Sequence, residues 1–202
     1  MSTNMKRALS YLLGLFILSI GISFTIIARL GAGAWDALAV GLSNLTGFSV
    51  GTWVILIGVI LIFVNALILK NRPQLISIVT VIILGYFIDF WLIIVFPNFF
   101  VETILIRFVI LLIGVLLMGI GIATYLQGKF AIIPIDGFMM AIQNRLKVSL
   151  GVAKTIAEIT ALVFAFFAGG PIGIGTVIVT LSIGSMIQIF FPHLERFVHG
   201  YN

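Results

Sequence analysis

Long apolar runs alternate with short polar interruptions along most of this 202-residue chain. Six runs reach about 20 residues, with soft edges at 8–28, 50–69, 75–96, 104–127, 149–168 and 172–191. At ~1.5 Å per residue such a helix crosses ~30 Å of hydrocarbon, so each run predicts a membrane-spanning helix. Two shorter stretches, near 33–46 and 132–146, keep apolar residues at helical spacing but also carry polar ones. They predict interfacial or re-entrant half-helices, because backbone is tolerated at membrane depth only where protein or water covers it. The first run follows a short basic start, and Ala32-Gly33-Ala34 has the look of a cleavage pattern. Its apolar part nevertheless exceeds the ~7–15 residues of a signal peptide core, so it is read as a retained span.

Displacing the chain by 100 residues lays these elements over one another. YLLGLFILSIGISF (11–24) falls on LLIGVLLMGIGIAT (111–124). Gly14, Gly21, Asp36, Asn44, Ser49 and Gly51 recur without a gap as Gly114, Gly121, Asp136, Asn144, Ser149 and Gly151, and Arg29 recurs as Lys129. Shared Leu and Ile would mean little in so apolar a chain, but an ungapped register of Gly, Asp, Asn and Ser is informative. Each copy holds three spans and one half-length segment. Three is odd, so the second copy must enter from the opposite side of the membrane, as in many transporters. The expected fold is therefore all-α: a polytopic membrane protein of six transmembrane helices in two inverted three-helix repeats. Each repeat carries a short half-helix between its first and second spans. Repeat 1 covers about 8–96 and repeat 2 about 104–191, within one transmembrane domain over 1–202 that ends in a short cytoplasmic tail, 192–202. The loop after the second span is basic, Lys70-Asn71-Arg72-Pro73, and its counterpart Gly169-Gly170-Pro171-Ile172 is uncharged, as expected of one loop placed on opposite faces.

Composition agrees. Hydrophobic residues make up 62% and charged residues 8% of the chain, against roughly 45–50% and 25% in soluble domains. The net charge of +5 is not spread as a basic stripe, which argues against nucleic acid. Lys and Arg instead fall in ones and twos between spans, and their placement orients the bundle. With the N-terminus cytoplasmic, Lys6, Arg7, Lys70, Arg72, Lys129, Arg145, Lys147 and Arg196 lie inside, and only Arg29 and Arg107 lie outside. This predicts a multi-pass protein of a bacterial inner membrane with both termini inside. The absence of Cys removes disulfides and thiolate chemistry.

Few residues remain that could carry function. Asp36 and Asp136 open the two half-helices, where a carboxylate complements the helix dipole; they equally suit symmetry-related gates or substrate contacts, with Arg29 and Lys129 as partners. Glu158 lies about nine residues into the fifth span, roughly 13 Å deep, where a charge is costly and functional by default. Lys154, one turn earlier on the same face, offers it a structural partner. The first repeat has Gly58 at the position of Glu158. Asp89 sits nearer the outer face, within reach of Arg107 or of water. The turn GGPIGIGT brings Gly169, Gly170, Gly173 and Gly175 together, but no strand precedes it and no Lys follows, so it predicts a tight turn and close helix packing rather than a phosphate loop. His193 and His199, beside Glu195, are too few for a metal site. No cofactor, metal ligand set or catalytic triad is expected, and the chain reads as no enzyme.

Several of these residues carry a resemblance. G-x-W-D-x-L-x-x-G-L over 33–42, G-x-S-x-G at Gly47, Ser49 and Gly51, Ile133-Pro134-Ile135-Asp136-Gly137, Lys154 through Glu158, and GGPIGIGT are similar to the YczE/YyaS/YitT group of bacterial integral membrane proteins, most of all its YczE-like branch. Ala34 stands where that group usually has Pro, Lys154 where Arg is frequent, and Ile135 where an Arg often precedes the Asp. The resemblance implies a membrane fold and no assigned chemistry. The leading expectation is a small-solute permease working by alternating access, with a midplane cavity lined by Glu158. The alternative is a non-transporting scaffold or regulator acting through a partner. The bilayer is the expected partner in either case, with a small-molecule substrate under the first reading and a homo-oligomer left open.

Overall fold

A computed structural model describes residues 3–199, and the side chains of 5–196 within them. Among the described residues eight α-helices follow one another: α1 (Thr3–Ile27), α2 (Ala34–Thr46), α3 (Val50–Leu69), α4 (Ser77–Asp89), α5 (Ile104–Leu126), α6 (Pro134–Leu146), α7 (Leu150–Phe167) and α8 (Ile174–His199). No strand occurs among the described residues. Among the described residues six helices are long and apolar enough to cross a membrane: Met5–Ile27, Val50–Leu69, Ser77–Val95, Ile104–Leu126, Leu150–Phe167 and Ile174–Arg196. α2 and α6, at 13 residues each, are the half-length pair.

The 100-residue repeat is visible in the elements themselves. α2 and α6 begin and end 100 residues apart, and so do the starts of α3 and α7. Ser49 and Ser149 cap α3 and α7 in the same way, each in extended conformation with its hydroxyl accepting from the backbone N–H of Thr52 or Val152. Arg29 (φ 51°) and Lys129 (φ 53°) both adopt the left-handed conformation just beyond α1 and α5, as do Lys70 and Lys147 beyond α3 and α6. Glycine is the usual choice there. A basic side chain at each of these ends faces the negative pole of the helix dipole, which offsets the backbone cost.

Contacts divide the chain into two compact units. One runs up to Gly33, over Phe87–Phe130 and from Gly173 onward, and the other comprises Ala34–Tyr86 and Ala131–Ile172. In the first unit α1 lies against α5. A Cβ added to Gly21 would sit 2.6 Å from the Met118 backbone nitrogen, and one on Gly121 would sit 2.5 Å from that of Leu18. Gly14 likewise meets Tyr125, and Gly114 meets Thr25. Small residues let two backbones touch, which is how helices associate where no hydrophobic driving force separates protein from lipid. Partner numbers fall as the chain number rises, so α1 and α5 run antiparallel. Moreover, each contact maps onto another when the copies are exchanged: 21 with 118 becomes 121 with 18. Ser10 adds a hydrogen bond from its hydroxyl to the Thr124 carbonyl at 2.8 Å.

In the second unit each half-helix packs on the long helix of the other copy, α2 on α7 and α6 on α3. Its core is apolar and rich in alanine: Ala37, Ala39, Ala153, Ala157 and Ala165 with Ile57, Leu61, Phe138 and Ile142. On α7 the buried alanines fall at 153, 157, 161 and 165, a stripe four residues apart that forms one flat face.

Two features depart from the expected outline. α4 continues beyond Asp89 as a π-helical segment, Phe90–Val95, a wide turn that periodicity does not reveal. There Trp91 donates from Nε1 to the Ser19 hydroxyl at 3.0 Å and packs against Phe16. At the other end, α8 runs unbroken through Pro192 to His199 instead of stopping at 191. The His193 ring contacts the Ile189 carbonyl at 2.8 Å, one turn back. Residues 200–202 of the expected tail lie outside the described part.

Candidate functional site

Four of the candidate charged residues, Asp36, Asp136, Lys154 and Glu158, lie in the second unit, on the two half-helices and on α7. On α7, Lys154 and Glu158 each follow an alanine of the buried stripe by one residue. That rotates them about 100° off the packed face, and both are half-buried. Asp36, in the first turn of α2, is half-buried too, and the Glu158 carboxylate lies within electrostatic reach of it. The expected acids of the first half-helix and of the fifth span thus share one seam. Beside them the Trp35 indole N–H is buried without a hydrogen-bond partner, while its ring meets Phe138 edge-on at 5.8 Å.

The equivalent seam, α6 on α3, is built differently. Asp136 is half-buried in the first turn of α6, which starts at Pro134 as the N1 residue. The position matching Glu158 is Gly58, where an added Cβ would lie 2.5 Å from a Val81 methyl on α4. No side chain fits there, which explains why the acid occurs in one copy only. Instead Asn65, whose counterpart is Ala165, reaches across and donates from Nδ2 to the Pro134 carbonyl at 2.9 Å. Its Oδ1 is buried and without a partner. Next to it a cleft of about 250 Å³ opens between α3, α6 and the turn into α4, with Asn71, Arg72, Gln74 and Asn144 among its lining. A cavity lined by Glu158 was expected; the lining of this cleft does not include Glu158.

The remaining candidates lie in the first unit. Arg29 is exposed, with its guanidinium 4.8 Å above the Phe100 ring. That contact gives this charge a local reason. Arg107 donates from Nε to the Ala28 carbonyl at 2.8 Å and from a terminal nitrogen to the Arg29 carbonyl. It thereby caps the end of α1, whose last carbonyls have no helical partner. Asp89 is half-buried at the junction of α4 with the π segment, and Lys129 is exposed just past α5. The glycines split by role and by unit. Gly169 has φ 66° with open space around it, so the turn after α7 requires its conformation. A Cβ on Gly170 would lie 2.2 Å from the Ala37 carbonyl, which holds α2 against the end of α7. Gly173 and Gly175 lie in the first unit against the Leu30 carbonyl, to which the Gly175 N–H donates at 2.7 Å.

Neither Asn65 nor Trp35 stood among the candidate residues of the sequence, and Arg72 was read there as a topology signal. A weak signal was available for the first. Asn65 is a lone amide in an apolar span, and the repeat places Ala opposite it, so it serves something the other copy does not need.

Six long apolar helices and two polar half-helices define a multi-pass α-helical membrane protein. The chain belongs to the family described as "Family of unknown function (DUF6198)", whose model matches residues 5–192. It is 40% identical to "Uncharacterized protein YyaS" of Bacillus subtilis (strain 168), over 92% of each chain. It is 30% identical to "Uncharacterized membrane protein YczE" of the same organism, over 90% of this chain and 84% of the other. An "Uncharacterized protein" of Haemophilus influenzae is 32% identical over 98% of this chain and 89% of its own length. No solved structure matches.

Proposed function

We propose that this protein is a small-solute permease of the bacterial inner membrane, working by alternating access, with its repeats inverted across the bilayer and both termini cytoplasmic. Inversion is supported by the α1–α5 register, because equivalent helices of the two copies run antiparallel through contacts that exchange into one another. Exchanged half-helices accord with the same arrangement. The observation that carries the permease reading is that Glu158 on α7 lies within electrostatic reach of Asp36 on α2. A single carboxylate inside an apolar helix bundle is a functional candidate. Two within reach of each other share a site for a proton or cation, since like charges in a poorly solvated place favour taking up a positive partner.

The test is uptake into proteoliposomes, screening anionic, cationic and neutral metabolites with and without a proton gradient, for the unmodified protein and Glu158→Gln. Solute uptake that depends on Glu158 supports the reading. No uptake of any class, with a stoichiometric protein co-purifying instead, would overturn it in favour of the scaffold. Activity unchanged in Glu158→Gln would remove the carboxylate pair from the mechanism.

A further inference from the structure

We infer that the bare face of α8 docks on the same helix of a second copy of this chain, in a two-fold seam centred on Ser185 and Gln188. Ile174, Val177, Leu181, Ser185 and Gln188 are all exposed. At about 100° per residue they fall within about 80° of one another, a single stripe along the helix. On its opposite side α8 meets α5, where a Cβ added to Gly119 would lie 2.5 Å from the Met186 side chain. A stripe that suits lipid looks different: the exposed face of α5 carries Leu105, Val109, Leu112 and Leu116, none of them polar. Ser185 is the middle residue of the span Ile174–Arg196, and Gln188 lies about 12 Å from its end.

Elsewhere in the spans hydroxyls are satisfied locally. Those of Thr124, Thr155 and Thr160 donate to the carbonyls of Ile120, Gly151 and Ile156, one turn back. Ser185 and Gln188 make no hydrogen bond to any described residue, and in hydrocarbon such groups are satisfied across helices. The repeat marks the same face as a packing face. At the equivalent positions of α4, Ser77, Val81 and Ile88 are buried. Gly85, which matches Ser185, would place a Cβ 2.6 Å from the Gly51 carbonyl of α3. The occupant follows from the chemistry. A carboxamide both donates and accepts, so two Gln188 side chains related by a two-fold axis along the bilayer normal can bond each other reciprocally. Ile174, Leu181 and Gln188 recur at the heptad interval with Val177 and Ser185 between them, the pattern of a paired-helix seam in which one polar position fixes register. Ser185 is small enough to let the two backbones approach. The stripe shares no residue with the Asp36–Glu158 pair, so its fate is independent of whether the protein transports.

The chain has no Cys, so single cysteines report directly on the seam. Ser185→Cys and Gln188→Cys are oxidised with copper phenanthroline in intact membranes, beside Leu116→Cys on α5 and Phe63→Cys on α3 as exposed controls. Reducible dimers at 185 and 188, and little product at the controls, are expected. In a second measurement the purified full chain is sedimented in neutral detergent. It should show a monomer–dimer equilibrium that Gln188→Leu weakens about fivefold. Ser185→Trp, a wedge in the seam, should abolish it, while Leu116→Trp leaves it intact. Cross-linking equal at all four positions would mark random collision. Its absence at 185 and 188, or a chain that sediments as a monomer at every concentration, would remove the second copy. Reaction of Gln188→Cys with a water-soluble maleimide in place of cross-linking would assign the face to water. Association untouched by both Gln188→Leu and Ser185→Trp would place the seam elsewhere. Each of these four results overturns the inference.

Discussion

The α2–α7 and α6–α3 seams descend from one repeated pattern and have been put to different use. Both seat a 13-residue half-helix with an Asp in its first turn against a serine-capped long helix of the other copy. On the first, alanines and Gly170 bring the backbones together and Glu158 stands at the edge beside Asp36. On the second, Gly58 is occupied by Val81, Asn65 bridges to Pro134, and a polar cleft opens. A repeat supplies a frame that either copy can furnish, and polar side chains accumulate where one copy has space that the other has filled.

Substitutions at matched positions test that contrast. The largest difference is expected at Gly170. Gly170→Ala drives a methyl into the Ala37 carbonyl and should cost about 3 kcal/mol in thermal unfolding, while Lys70→Ala at the matching exposed position should stay within about 0.5 kcal/mol. Equal losses would show that the two seams are not packed differently. Next, Asn65→Ala leaves the Pro134 carbonyl without its donor and should destabilise by about 2 kcal/mol; an unchanged melting temperature would mean that the bridge is not part of the α6–α3 seam. In the permease reading, Asp36→Asn should slow uptake about tenfold, worth ~1.4 kcal/mol, with Asp136→Asn clearly milder, because Glu158 lies within electrostatic reach of Asp36. A reversed order in the same uptake assay would move the site to the other seam. The smallest effect sharpens what the seams share: Ser49→Ala and Ser149→Ala should each cost about 1 kcal/mol and agree with one another, and a gap between them larger than the cap itself would break the equivalence of α3 and α7.

How far the molecule could be read in advance follows from the range of each cause. The ends of the six spans were legible to within a few residues, except where α8 overruns its expected end at 191, because crossing hydrocarbon is a demand on length and apolarity that every span meets locally. The half-helices were legible from the same rule failing, and their Asp residues from the repeat. The π segment after Asp89 was not, since one widened turn leaves the hydrophobic pattern intact. Nor was the role of Arg107, whose guanidinium caps a helix 79 positions away in the chain.

For the site, the sequence offered acids and the fold offered neighbours. Glu158 was conspicuous as a charge in an apolar helix, but its expected partner was Lys154 on the same helix, and nothing in the chain pointed to Asp36 more than a hundred residues earlier. Asn65 and Arg72 were each unremarkable by themselves. Asn65 gained a role only when α6 brought the Pro134 carbonyl to its amide nitrogen.

By itself, then, the chain determined its medium, its six spans, its two half-helices and its duplication, because each follows from the cost of exposing charge or unpaired backbone to lipid and is met within a single element. Only the tertiary structure decided which half-helix lies on which long helix, which acid meets which, and where a cleft remains. Those outcomes depend on whether two backbones can approach, and that is a property of pairs of surfaces, set at Gly170, Gly58 and Asn65 by what stands opposite them.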